Sequence, residues 1–208
     1  MLKPRSMSYP YLESNLQLAI FRLEDVCVRV QDGMEGFLRT AALEKTAQIE
    51  ATFRWLRKRG VRVALISDAA RPDAEILLER LNWRVGEEEP VQFVLTGQAA
   101  KHNPIRRVLD LAGLPNGRAV LSVFDTPRLL WLAHGAGLRF NLGVTNGRTS
   151  YAELATVPRY ALLDEPVQLP NFLLEHLPTA DRPHAPRRRF GREDFGPGLP
   201  GAARGFTF

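Results

Sequence analysis

The feature that most constrains this chain is an alternation. Short, continuous apolar runs are separated by amphipathic segments with readable helix ends. The runs fall at residues 17–23, 61–67, 91–97, 118–124, 138–144 and 159–163. Most lack a period-two pattern, which is expected of strands whose two faces are both covered by helices. Between them, residues 44–59 place Ile49, Phe53 and Leu56 on one helical face and stop at Gly60, a suitable left-handed cap. A second helix is expected from Arg71-Pro72, burying Ile76, Leu77 and Leu81. Asn103-Pro104 supplies an N-cap and a proline at the first helical position, and the helix it opens runs to Gly113. Thr126-Pro127 repeats the device for a helix ending near Gly135, and a last helix is expected over residues 169–177. Strands and helices in strict alternation, with short connections, predict an α/β fold: a doubly wound parallel sheet of about six strands.

Two stretches depart from the alternation. After the first run, Val26, Val28 and Val30 alternate with Cys27 and Arg29, Asp32-Gly33 offers a hairpin turn, and residues 34–38 could return. This reads as a β-flap directly after the first strand and leaves no room for a large cap domain. From Pro178 onward, prolines, glycines and the run Arg187-Arg188-Arg189 replace aliphatic residues, so a packed core is not expected there and disorder is. The chain therefore divides into an N-terminal extension (1–14), one α/β domain (15–177) and a Pro/Arg/Gly-rich tail (178–208).

Charge and cysteine content narrow the function classes. The net charge is +5, but the tail alone holds six arginines against three acids, leaving +2 for the other 177 residues. Nucleic-acid binding is thus expected through the tail if at all. No apolar run approaches the roughly 20 residues that span a bilayer, and residues 1–13 lack a secretory h-region. The single cysteine, Cys27, has no internal partner, so a cytoplasmic location is expected. His102, His134, His176 and His184 have no metal-ligand spacing and are read as surface or helix-end residues. Trp55, Trp83 and Trp131 sit beside amphipathic faces and are read as packing residues, and Glu87-Glu88-Glu89 as a solvated loop.

In an open doubly wound sheet, ligands bind beyond the carboxyl ends of the strands. The residues at those positions are Arg22, Glu24 and Asp25 after the first run, Ser67 and Asp68 after the second, Lys101 ahead of the helix after the third, and Asp125-Thr126 after the fourth. In order and spacing these resemble the four motifs of the haloacid dehalogenase-like (HAD) phosphohydrolases, and the resemblance runs from about residue 16 to 177. Leu18-Ala19-Ile20-Phe21-Arg22-Leu23-Glu24 is similar to the first motif, an apolar strand ending in Asp-x-Asp. Ala64-Leu65-Ile66-Ser67 resembles the second and Lys101 the third. Val120-Leu121-Ser122-Val123-Phe124-Asp125 resembles the fourth. Ala136-Gly137-Leu138 and Leu142-Gly143-Val144-Thr145 are similar to the family's "AG…GVT" segment.

The resemblance implies a carboxylate nucleophile that attacks phosphorus, a second acid two residues on that serves the leaving group and water, and a Mg²⁺ ion held by acids. Here the nucleophile position is Arg22, which can neither attack nor ligate a cation, and the acid position is Glu24. Leu129 stands near where a second acid of the fourth motif would be. A slip by three residues would make Asp25 the nucleophile and Cys27 the acid, at the expense of burying Arg22 and Glu24 within the sheet. The expected site is therefore degenerate: Arg22, Glu24, Ser67, Lys101 and Asp125, with no intact catalytic set. Arg22 is expected to form a bidentate pair with Asp125, either locking the strand ends or leaving Arg22, Ser67 and Lys101 as a phosphate-binding set. No cofactor is expected. If a metal binds, Glu24 and Asp125 would hold it, and Mg²⁺ would be the ion.

Two function classes follow. One is a non-catalytic HAD-like protein that binds, scaffolds or assembles with an unidentified protein partner, or binds a phosphate-bearing ligand. The other is a weak or altered Mg²⁺-dependent phosphohydrolase.

Overall fold

The computed structural model describes residues 16–29 and 43–177. Six parallel strands form one sheet in the order β5-β4-β1-β6-β7-β8: β1 (Leu18–Arg22), β4 (Arg62–Ser67), β5 (Phe93–Thr96), β6 (Val120–Phe124), β7 (Phe140–Val144) and β8 (Ala161–Leu163). A separate antiparallel pair joins β2 (Val28–Arg29) to β3 (Glu44–Lys45). The helices are α1 (Ile49–Arg57), α2 (Arg71–Arg80), α3 (Gly97–Lys101), α4 (Pro104–Leu111), α5 (Pro127–Gly135), α6 (Tyr151–Leu154) and α7 (Leu169–His176). This is the doubly wound α/β sheet expected from the alternation. No helix among the described residues is long and apolar enough to cross a membrane.

Side chains of successive strand residues point to opposite faces, so the continuous apolar runs feed two cores at once. Leu18 and Ile20 of β1 join Ala64, Ile66, Val120 and Phe124 on the face covered by α4 and α5. Ala19 and Phe21 join Val63, Leu65, Leu121 and Val123 on the face covered by α1, α2 and α7. On that second face the Phe21 and Phe53 rings meet edge to face at 5.1 Å. β1 lies between β4 and β6, with Arg22 opposite Ile66 and Phe21 opposite Val123. That register brings the C-terminal ends of three strands, and the residues that follow them, to one place.

Several local expectations are corrected. The first helix does not begin at residue 44: Glu44-Lys45 pairs with Val28-Arg29, Gln48 turns the backbone left-handed (φ 55°), and α1 starts at Ile49. Its C-terminal end matches, with Gly60 at φ 76°. The flap's expected turn at Asp32-Gly33 and return at residues 34–38 lie outside the described residues, and the partner seen for Val28-Arg29 is the later pair. Ile76 is 45% exposed, because α2 turns Ala74, Leu77 and Leu78 inward and leaves position 76 on the outer side. Trp131 is 55% exposed rather than packed, whereas Trp83 donates to Glu50 and meets Phe53 edge to face. Asn103 caps α4 by accepting from the Arg106 amide, but Thr126 makes no such side-chain bond at α5.

Candidate functional site

β1, β4 and β6 end together, and their last residues build a compact ionic cluster. The Arg22 guanidinium projects from the end of β1. Its Nη1 donates to both Asp125 oxygens at 3.1 Å and to Asp25 Oδ2 at 3.2 Å, while Nη2 reaches Asp68 Oδ2 at 3.3 Å. The expected pair with Asp125 is therefore present, but one nitrogen spans both oxygens in place of the two parallel bonds of a fork. The freed Nη2 reaches Asp68, which becomes part of the same cluster. Asp25 folds back onto Arg22 because its backbone is left-handed, at φ 62°. Asp25 sits in the turn after β1, so the strand ends at Arg22 and the three-residue slip is not the register adopted. Arg148, in the loop after β7, approaches Asp25 at 3.4 Å from the open side.

The cluster is mostly buried, and burial sets its protonation. Asp125 is 1% exposed and Glu24 2%. Burial pushes the Arg22 guanidinium toward losing its proton, but Asp125, Glu24 and Asp68 outweigh that, so its pKa lies above the ordinary value and it stays cationic. Burial raises the Asp125 carboxyl while the guanidinium opposes it. With both oxygens accepting from one nitrogen, the ionised form is the one the geometry satisfies. Glu24 is different. Burial lifts its pKa, and the hydrogen bond its Oε1 accepts from the Ser67 hydroxyl only partly offsets this. Its Oε2 is buried without a partner among the described residues. Cys27, fully buried nearby, has its thiol pushed well up by burial and by the carboxyls of Glu24 and Asp125.

The loop after β7 closes the cluster from above. A Cβ on Gly147 would meet Asp125 Oδ2 at 2.4 Å, so only a glycine lets the backbone lie this close to the carboxylate. Both side-chain polar atoms of Asn146 beside it are buried and unpartnered among the described residues. Sequence reading stopped at Thr145 and missed Asn146, Gly147 and Arg148. Their only signal was position, just past the end of a central strand.

The structure thus unites Arg22 with Asp125 and Glu24 with Ser67, but it does not assemble the expected phosphate-binding set. Ser67 is fully buried and its hydroxyl is committed to Glu24. Arg22 is occupied by three carboxylates. Lys101 ends α3, exposed, with no partner for its ammonium among the described residues; it lines, with Asp68, a cavity of about 820 Å³ beside the cluster. Around the cluster two cations, Arg22 and Arg148, face three carboxylates, an excess of negative charge that works against an anionic ligand.

The residues do not fit a Mg²⁺ ion either. Arg22 Nη1 already fills the space between the Asp25 and Asp125 carboxylates, and a dication within a few ångströms of a guanidinium would be repelled. Glu24, buried and bonded to Ser67, is a poor cation ligand. Among the described residues no group of three or more His, Cys, Asp or Glu side chains is arranged to hold a metal.

No protein-family model and no curated protein matches this sequence. Solved structures do. A predicted phosphatase from Clostridium acetobutylicum superposes with a TM-score of 0.62 at 14% identity, covering 78% of this chain and 100% of that one. The cobalt-bound deoxy-D-mannose-octulosonate 8-phosphate phosphatase of Haemophilus influenzae gives 0.57 at 13% identity, covering 79% and 90%. The 3-deoxy-D-manno-octulosonate 8-phosphate phosphatase of Moraxella catarrhalis, solved with magnesium, phosphate and the sugar acid, gives 0.54 at 13%, covering 79% and 90%. The chain has the fold of the haloacid dehalogenase-like phosphatases.

Proposed function

We propose that this is a non-catalytic member of the HAD-like fold, which acts by binding or assembly and does not hydrolyse phosphate esters. The observation that carries the reading is Arg22 at the end of β1, its guanidinium clamped on Asp125. Covalent phosphoryl transfer from this position needs a carboxylate that attacks phosphorus and a cation that neutralises the developing charge. Arg22 has no lone pair to offer, and it takes the place of the cation without leaving a coordination position for substrate. Burial raises the Glu24 pKa, but one of its oxygens is buried and the other faces Ser67, so it has no substrate proton to serve. The cluster then works as a strut that ties three strand ends together.

One observation favours the second reading, a Mg²⁺-dependent phosphohydrolase: the similar structures are phosphatases, one of them bound to magnesium and phosphate. The readings separate in one assay. Purified full-length protein, given p-nitrophenyl phosphate and a panel of phosphate monoesters with Mg²⁺, is expected to show no turnover above buffer. Turnover that disappears in both Glu24→Gln and Asp125→Asn would overturn the non-catalytic reading. Thermal shift with inorganic phosphate, with and without Mg²⁺, is expected to show no stabilisation.

A further inference from the structure

One sheet edge is open along most of its length among the described residues. β5 pairs there only with β4, and on its outer side only the bridge from Val85 to Val91 precedes it, so the outer side of residues 93–96 ends the sheet. Exposed edges normally carry a charge, a proline or a bulge that blocks further pairing. β5 reads Phe93-Val94-Leu95-Thr96, with no charged residue and no proline, and no residue of it has a left-handed backbone. The opposite edge, β8, has three residues and is flanked by Arg159 on one side and Asp164 and Glu165 on the other.

The β5 edge opens onto cavities on both faces of the sheet. One, about 820 Å³, brings together Leu78 of α2 with Val85, Val94 and Leu95. The other, about 340 Å³, is bounded by Leu95, Arg107, Asp110 and Leu111. Two large apolar residues stand exposed beside the strand, Val85 at 44% and Leu111 at 56%. On α4, Asp110 pairs with Arg106 on its own helix at 3.1 Å, whereas the Arg107 guanidinium has no partner among the described residues.

We propose that the occupant of this edge is a second copy of the chain, β5 against β5 in antiparallel register about a two-fold axis near Leu95. The charges select this partner. α4 lies in the crossover from β5 to β6, two parallel strands of one sheet, and so runs against them. A two-fold at β5 therefore sets the two α4 helices antiparallel on the same face. Arg107 and Asp110 lie one helical turn apart beside Leu95, so Arg107 of each copy meets Asp110 of the other, the i-to-j and j-to-i pairing of an isologous interface. Leu111 of each copy is covered by the partner's α4, and Val85 by the partner's surface on the other face. Main-chain pairing over four residues is far short of the roughly 1,200 Å² that a stable dimer buries, so these flanking residues must supply most of the contact. The proposal stands whether or not the Arg22 cluster hydrolyses phosphate.

Sedimentation equilibrium on the full-length chain tests it. The native protein is expected to be a dimer at concentrations of about 10 to 100 µM. Arg107→Asp sets two aspartates face to face and is expected to raise the dissociation constant about tenfold or more. Adding Asp110→Arg in the same chain reverses both charges and should restore the dimer. Leu111→Glu should dissociate it and keep the circular dichroism spectrum of the native chain, since within one copy that side chain faces solvent. A chain that is monomeric throughout, as it would be if the edge serves an extended peptide, overturns the proposal. So does a dimer indifferent to all three variants.

Discussion

A guanidinium held by three carboxylates is stable only as a set, because each member is buried on the terms of the others. Arg22→Ala would leave the buried Asp125 without its counter-ion and Asp25 with Arg148 alone, and chemical denaturation is expected to show a loss of about 3–5 kcal/mol. Asp68, 45% exposed on its side chain, contributes little to that figure because water screens it. Replacing both partners, Arg22→Met with Asp125→Leu, should cost less than Arg22→Ala, since the buried position 125 then carries no charge and Asp25 keeps Arg148. Glu24 makes the opposite prediction in pH. Its folded pKa is raised above the ordinary 4.5, so the folded chain keeps a proton that the unfolded chain releases. Stability from this group is whole below pH 4.5 and falls as pH rises toward the folded value. Glu24→Gln, neutral at every pH, should gain on the native protein as pH rises above 4.5; a difference that stays constant would show that the fold does not raise this carboxyl. The pairing of Arg22 with Asp125 was legible from two motif positions. The recruitment of Asp25 and Asp68 was not, because it depends on a left-handed turn and on where a neighbouring strand stops.

The elements were legible where local chemistry sets their ends. Gly60 and Pro127 mark helix boundaries by backbone constraint and Asn103-Pro104 by a side-chain cap as well, and each boundary stands. They were misread where tertiary contacts override periodicity. Glu44-Lys45 continues the pattern of α1 but is drawn into a two-residue strand by Val28-Arg29, and Lys45 then bonds Glu50 on the helix it would have begun. The loop after β7 is the element whose sequence said least and whose placement matters most. Its backbone rests on Asp125, so Gly147→Ala forces either the loop or the carboxylate to move. That substitution is expected to lower stability by about 1–3 kcal/mol, as overpacking does. Hydrogen exchange should show faster opening of the segment between β7 and α6. Unchanged exchange there would mean that the loop does not brace the site.

At the scale of the molecule, charge and core are separated along the chain. The tail carries +3 of the +5, so retention on heparin should follow Arg187-Arg188-Arg189. Changing all three to glutamine in the full-length protein should lower the eluting salt concentration and leave the thermal midpoint unchanged; equal retention would place the basic surface on the α/β domain. Short-range rules encode the apolar runs long enough to be strands and the helix ends set by proline and glycine, and the sequence alone puts an arginine at residue 22. Which of those strand ends meet is settled only when the sheet assembles. The strands that flank β1 begin at residues 62 and 120, and no local rule links them. Their register sets a guanidinium among three acids, buries Ser67 against Glu24, and leaves Lys101 outside the cluster. Charges brought together across such sequence distances interact through geometry and burial, and those exist only once the sheet has formed.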